Sequence, residues 1–232
     1  MKRITSSWLL LATCILLGKA HAAAGSAVVQ AFDGEGNPIT VQIEGLDAQH
    51  LRLSSPQHPE AYLVMLNGQP YNVIQFGSLP LVMDANEMFS KMGAERLPAA
   101  PAPADDIRTL VSLTATGQKE TVAGVVGERY RLQYLDSAQQ AQEEELVVAR
   151  DPLLHDLSLA LYHLGNIVSR GAGITPPAGT DRLVQELHRK GLGLLRMGSR
   201  MSVQSLDRRP PAAARFELPA EPMRAFPKLE IE

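Results

Sequence analysis

Residues 151–170 read DPLLHDLSLALYHLGNIVSR and carry the clearest helix signal in the chain. Asp151 is a residue type that caps helix N-termini, and Pro152 is favoured at the first helical position. Apolar residues recur along the segment at steps of three and four: Leu154, Leu157, Leu161, Leu164 and Val168. Such a face must be buried, so the pattern predicts a helix that covers a sheet. A shorter helix is predicted from Thr180, as its cap, to Gly191.

The sheet itself is predicted from segments on both sides of this helix. Residues 39–44, Ile-Thr-Val-Gln-Ile-Glu, alternate apolar and polar side chains, which is typical of a strand with one solvated face. Asn67-Gly68 separates the patterns at 61–66 and 71–75, and this dipeptide is a strong signal for a two-residue hairpin. Further strands are predicted at residues 27–32, 51–53, 108–114, 128–135, 145–150, 192–197 and 201–206. The sequence therefore predicts an α+β fold.

The first 22 residues have the layout of a secretory signal. Two basic residues at 2–3 precede an apolar run at 8–17, and Ala20 and Ala22 form an A-x-A cleavage site. The apolar run is too short to span a bilayer. We expect a cleavable signal peptide at 1–22, cleavage after Ala22, and a periplasmic or, alternatively, a secreted protein. Lipidation of Cys14 is the other interpretation, because residues 11–14 loosely resemble a lipobox.

Removal of this signal determines the charge and the redox chemistry that we expect of the mature chain. The full chain has a net charge of −3, and the mature chain would have −6, because three of the 22 basic residues leave with the signal. An acidic surface argues against binding to nucleic acid. Cys14 and Trp8 are the only residues of their types, so the mature chain has no disulfide. It contains no apolar stretch of roughly twenty residues, so we do not expect an integral membrane protein.

The mature chain is expected to form a single domain over residues 23–222, followed by a tail at 223–232. Residues 97–104 include the run Pro-Ala-Ala-Pro-Ala-Pro, which holds neither a helix nor a strand ladder. Strand patterns resume beyond it. We therefore interpret it as a surface loop inside one sheet and not as a domain linker.

No catalytic or metal-binding pattern is found in the mature sequence. It contains no G-x-S-x-G, H-E-x-x-H, G-x-G-x-x-G or Walker loop. His155 and His163 share the main helix but lie about 80° apart around it, which is wrong for a metal clamp. Glu143, Glu144 and Glu145 alternate faces on an extended chain, so we interpret them as the solvated start of an exposed edge strand. The sequence favours a protein that is not an enzyme and has no cofactor or metal.

Several segments between residues 107 and 222 resemble an uncharacterised family of exported bacterial proteins. They are Thr116–Gly124 (TGQKETVAG) with Tyr130 soon after, the Leu-rich helix after Asp-Pro, and the ending Phe216-Glu217-Leu218-Pro219. That family is similar to the LolA/LolB-type periplasmic lipoprotein carriers. The resemblance implies an incomplete antiparallel β-barrel, a LolA-like half-barrel, whose concave face is covered by helices. It implies no residue-level activity, and Gly127 stands where relatives often carry Cys.

The leading functional hypothesis is a soluble envelope protein that shelters an acyl chain, a lipoprotein or a hydrophobic peptide. The expected apolar cavity lies between the main helix and the strands, and its candidate lining residues are Val41, Ile43, Val64, Leu66, Leu132, Tyr134, Leu157, Leu161 and Leu164. The alternative is a structural or sensor module with a filled core that docks another envelope protein through an exposed sheet edge. The sequence does not fix an oligomeric state.

Overall fold

The computed structural model describes residues 23–32, 36–47, 49–92, 107–171 and 173–223. The predicted signal peptide, with Ala20, Ala22 and Cys14, lies outside the described residues. So do the Pro-rich segment 97–104 and the part of the predicted tail that begins at residue 224.

The described residues form a single, open, antiparallel sheet with helices packed on it, which confirms the α+β class. Its eleven strands are β1 (Gly25–Phe32), β2 (Pro38–Asp47), β3 (His50–Ser55), β4 (His58–Leu66), β5 (Gln69–Phe76), β6 (Leu79–Asp84), β7 (Thr109–Val122), β8 (Val125–Leu135), β9 (Ala141–Ala149), β10 (Gly193–Met197) and β11 (Met201–Asp207). Their order is β6-β5-β4-β3-β2-β1-β11-β10-β9-β8-β7. The strands on either side of segment 97–104, β6 and β7, are thus the two edges of one sheet.

Local turn chemistry explains the hairpin between β4 and β5. Asn67 and Gly68 have φ angles of 51° and 79°, which a two-residue turn of type I′ requires. Leu66 pairs with Gln69 directly across the turn. The predicted hairpin is confirmed. At the start of the chain, β1 pairs with β2, and Val29 lies opposite Val41.

Three α-helices and a short 3₁₀ helix (Ala213–Phe216) accompany the sheet within the described residues. The α-helices are α1 (Ala85–Met92), α2 (Pro152–Gly171) and α3 (Ala178–Arg189). Asp151 caps α2 as predicted, because its Oδ1 accepts a hydrogen bond of 3.1 Å from the Leu154 amide. The predicted cap of α3 is wrong. That helix begins two residues before Thr180, with Pro177 as its N-cap, and the Thr180 amide donates to the Pro177 carbonyl. Gly191, at φ 64°, follows its C-terminus as expected.

Apolar side chains cover both faces of the sheet and form three clusters. The first packs under α2 and includes Leu157 and Val147; the second packs under α3 and includes Val148. The third includes Val64 and Phe216. Consecutive residues of a strand point to opposite faces. At β9, Val147 belongs to the first cluster and Val148 to the second, so these two clusters lie on opposite faces of the sheet. At β4, Met65 belongs to the first cluster and Val64 to the third, so these two clusters also lie on opposite faces.

The helix α1 in the amino-terminal half was not predicted. The strand β6 and the helix α1 follow one another without a break, and Asp84 joins them. Its Oδ1 accepts hydrogen bonds from the amides of Asn86 and Glu87, at 2.8 and 3.1 Å, and so caps the helix. The pattern Asp84-x-x-Glu87 is a capping signature that would have located this helix.

The three consecutive glutamates are not on an exposed edge, so that expectation is wrong. They lie on β9, which pairs with β8 on one side and β10 on the other. Their faces alternate as expected, and the two faces have different partners. Glu145 pairs with Arg196, and Glu144 pairs with Arg200. The carboxylates are therefore committed to structural ion pairs.

Candidate functional site: an apolar pocket between two helices

A pocket of about 230 Å³ lies between α2, α3 and the strands β10 and β11. Its walls are mostly apolar and include Leu159, Leu161, Leu183, Leu187, Leu194 and Met201. Its polar groups are His155, Ser158, Thr180 and His188. It lies where the first and second apolar clusters meet, since Leu161 and Met201 pack against the first and Leu194 against the second.

Two polar contacts hold α2 and α3 side by side around this pocket. His155 Nε2 lies 2.8 Å from His188 Nδ1, and the Tyr162 hydroxyl donates to Asp181 Oδ1 at 2.6 Å. The partners are seven residues apart on each helix, so the helices run antiparallel and the contacts are about 10 Å apart along the axis. Burial, with the hydrogen bond to Asp181, raises the pKa of Tyr162. Side chains between the contacts line the pocket.

Small residues let the helices approach the sheet closely enough to enclose this space. A Cβ atom on Gly193 would overlap the backbone of Leu154 and His155 in α2, and one on Gly179 would overlap the backbone of Ile107 and Arg108. The Gly179 amide instead donates to the Arg108 carbonyl at 3.0 Å. These glycines therefore set the separation between each helix and the strand beside it.

The mouth of the pocket carries a chain of polar groups that begins at Asp156. Oδ1 of Asp156 lies 2.9 Å from Nδ1 of His155. The His155 and His188 rings meet edge to edge, with their centroids 4.8 Å apart and their planes inclined by 19°. The other oxygen of Asp156, Oδ2, accepts a hydrogen bond of 2.9 Å from the backbone amide of Ala23. One carboxylate thus connects the start of the described chain to both helices.

Ser158 has a structural task in the pocket wall. Its Oγ accepts a hydrogen bond of 3.1 Å from the Leu194 amide, next to an irregularity in the pairing of β10 with β9. The Ser158 hydroxyl therefore provides an acceptor for the Leu194 amide at a point where the strand pairing is irregular. Within the part of the chain that the structure describes, no three His, Cys, Asp or Glu side chains form a group that could hold a metal ion.

The structure separates the residues that the sequence placed around one cavity. Leu161 lines the pocket, whereas Leu157 and Leu164 are buried in the first cluster with Ile43, and Val41 packs against that cluster. Leu132 and Tyr134 are buried in the second cluster under α3.

Val64 and Leu66 are on the other face of the sheet from Val41 and Ile43, in the third cluster around Phe216. Alternation along β4 predicted that these two side chains share a face. It did not predict which face, because β4 is apolar on both sides: Leu63 and Met65 pack with the first cluster.

The histidine pair was missed for a different reason. His155 and His188 are 33 residues apart on two helices, and no spacing rule connects them. The other histidine on the same helix as His155 is His163, but its ring lies beside Tyr162.

Comparisons with known proteins give no relative. No family model matches the chain, no curated protein matches it, and no solved structure matches it. Among the described residues, no helix is long and apolar enough to cross a membrane.

Proposed function

We propose that this protein binds an apolar group in the pocket between α2 and α3. The group is the acyl chain of a lipid or lipoprotein, or the apolar side chains of a peptide. The observation that carries the proposal is the composition of the pocket, which is lined by leucines and methionines and has polar groups only at a few positions. Pre-formed apolar concavities of this kind are the usual ligand sites of proteins.

The volume of the pocket limits the size of the ligand that it can bind. Pockets that bind drug-sized ligands have volumes of about 300–1,000 Å³, whereas this pocket has about 230 Å³. It therefore suits a short chain, the end of a longer one, or one or two side chains.

The cell envelope is the proposed compartment. The A-x-A signal at Ala20 and Ala22 supports export with cleavage after Ala22. The resemblance to LolA/LolB-type carriers supports a half-barrel architecture, and an open antiparallel sheet with a helix packed along its first-cluster face agrees with it. We propose that the protein acts there without catalysis.

The test is a titration with an environment-sensitive fatty-acid probe. Leu161→Trp should fill the pocket and lower the affinity for the probe at least tenfold, because the indole occupies the space of the ligand. Leu66→Trp is the matched control, since Leu66 is also half-buried but packs in the third cluster. A probe that does not bind, or that binds both variants as it binds the original protein, would contradict the proposal.

A second function, docking of another envelope protein, is favoured by the tip of the β5–β6 hairpin. Phe76 and Leu79 pair across the strands there, and they are 61% and 66% exposed. Large apolar side chains presented together at a surface indicate an interaction site, and the neighbouring strand β6 is a sheet edge. Replacing both with serine should abolish copurification of an envelope partner while leaving the binding of the fatty-acid probe unchanged.

A further inference from the structure

The histidine pair at the mouth of the pocket presents one nitrogen outward. His155 uses Nδ1 toward Asp156 and Nε2 toward His188, and His188 uses Nδ1 toward His155. Within the described residues, Nε2 of His188 has no hydrogen-bond partner, and His188 is exposed. Both rings line the pocket. A ligand whose chain fills the pocket would therefore bring its head group to this atom.

The hydrogen bonds that link Asp156, His155 and His188 determine whether Nε2 of His188 donates or accepts a hydrogen bond. An ionised carboxylate only accepts hydrogen bonds, so Asp156 places a proton on Nδ1 of His155. In the neutral ring the Nε2 of His155 is then an acceptor, and Nδ1 of His188 must donate to it. It follows that Nε2 of neutral His188 is an acceptor, and that it becomes a donor when the pair takes up one proton.

We infer that His188 Nε2 is the head-group site of the pocket, and that the ligand is a medium-chain amphiphile carrying a carboxylate. The inference rests on the proposed binding function. The protonated pair donates to a carboxylate, so the carboxylate and Asp156 flank one shared imidazolium charge. The neutral pair accepts a hydrogen bond from an alcohol and repels a carboxylate. The preferred head group therefore changes with the protonation of the pair.

Asp156 is the charged side chain in contact with the histidine pair, and its other oxygen binds the backbone nitrogen of Ala23, which becomes an ammonium group in a chain cleaved after Ala22. Several other charged groups on the adjoining elements have partners of their own: Arg189 with Glu186, Lys190 with the ring of Tyr130, Arg150 with the carbonyl of Lys190, Asp151 with Arg208, and Asp181 with Tyr162. Arg182 on α3 and Arg170 on α2 are exposed.

The volume of the pocket sets the chain length. A water molecule accounts for about 30 Å³ of liquid, and a methylene group is of similar size, so 230 Å³ holds on the order of eight carbons. Octanoate and octan-1-ol are therefore the matched probes, because they share one chain and differ in the head group.

The experiment measures displacement of the fatty-acid probe by octanoate and by octan-1-ol at pH 6 and pH 8, with the mature chain. We expect octanoate to bind at least tenfold more tightly at pH 6 than at pH 8. Octan-1-ol should change less than threefold. In His188→Gln the pH dependence of octanoate binding should disappear. His163→Gln is the control, since His163 is on α2 but outside the lining of this pocket.

The outcomes separate the inference from the function on which it rests. If neither compound displaces the probe and the probe itself does not bind, the proposed function fails. If both compounds bind but octanoate shows no pH dependence, or keeps it in His188→Gln, the head-group site is wrong and the apolar pocket stands. Thermal unfolding of His188→Gln checks that it is folded, and His188→Asn repeats the test with a shorter amide.

Discussion

The backbone nitrogen of Ala23 lies 2.9 Å from Oδ2 of Asp156, 133 residues away in the sequence. Ala23 is also the first residue after the predicted cleavage site. Cleavage there would convert a neutral amide donor into an ammonium group at the same position. The carboxylate that supports the histidine pair would then gain an ion pair through maturation.

The first prediction tests this ion pair. In the chain that starts at Ala23, Asp156→Asn should lower the free energy of unfolding by about 0.5–1 kcal/mol more than in a chain that starts one residue earlier. The ammonium group is stabilised in the folded state, so its contribution is present below its ordinary pKa of about 8 and is lost at higher pH. Urea unfolding at pH 7 and pH 10 measures both effects, and equal losses in the two chains would rule the ion pair out.

The second prediction concerns acid stability. Hydrogen bonds from Arg196, to Oε1 and Oε2 of Glu120, lower the pKa of Glu120 from its ordinary value of 4.5. A carboxylate with a lowered pKa stabilises the fold above its unfolded value, and the contribution is lost as the pH falls through its folded value. Glu120→Gln should therefore cost about 1–2 kcal/mol at pH 7 and progressively less below pH 4.5.

Glu87→Gln is the control for this measurement. Glu87 forms an exposed pair with Lys91, so its replacement should change stability by less than about 0.5 kcal/mol at any pH. A Glu120 variant that lost the same stability at pH 3 as at pH 7 would show that packing, and not charge, is responsible.

The third prediction compares two leucines of α2. Leu157 is 4% exposed and packs beside Gly45, so Leu157→Ala should cost about 2–5 kcal/mol. Leu161 has the pocket on one side, so Leu161→Ala removes fewer contacts and should cost about half as much. It should also change the affinity for the fatty-acid probe, which Leu157→Ala should not. Chemical denaturation and probe titration of both variants check this, and equal costs would mean that the pocket is filled in solution.

The fourth prediction uses two glycines. Gly193→Ala should prevent the close approach of α2 and destabilise the fold by several kcal/mol, because the added methyl group meets helix backbone that cannot move aside. Gly165, on α2, has open space within 4 Å of the position that a methyl group would take, so Gly165→Ala should stabilise the protein by about 0.5–1 kcal/mol. Thermal unfolding of both variants measures the contrast, and opposite signs are the expected result.

The local elements were predictable because each depends on a few neighbouring residues. The Asp151 cap and the Asn67-Gly68 turn are set by side-chain oxygens and φ angles within one turn of chain. The start of α3 was not predictable in this way. Thr180 is a residue type that caps helices, but Pro177 adopts the extended backbone conformation of the N-cap. Where two capping signals lie within three residues, composition alone does not rank them.

Apart from Leu161, the candidate site could not be predicted, since it depends on how separate elements meet. Periodicity assigned Val64 and Leu66 to one face of β4, but the choice of face depends on Phe216, about 150 residues later in the chain. The His155–His188 contact depends on the relative positions of two helices, which in turn depends on the absence of a side chain at Gly193 and Gly179. Gly179 and Gly193 allow that approach, but the sequence does not indicate which backbone each glycine faces.

The strand order has a consequence for how the chain folds. Strands β1 to β6 form one meander. Strands β7 to β11 form a second block, in which α2 and α3 connect β9 to β10, and each strand of a block pairs with its neighbours in the chain. The meander and the second block join where β1 pairs with β11, as in Ala27 opposite Leu206. Closing so long a loop is slow compared with forming hairpins. We therefore expect the pairing of β1 with β11 to form after the hairpins nearer the sheet edges. We also expect the separate fragments 23–92 and 107–223 to associate through this pairing.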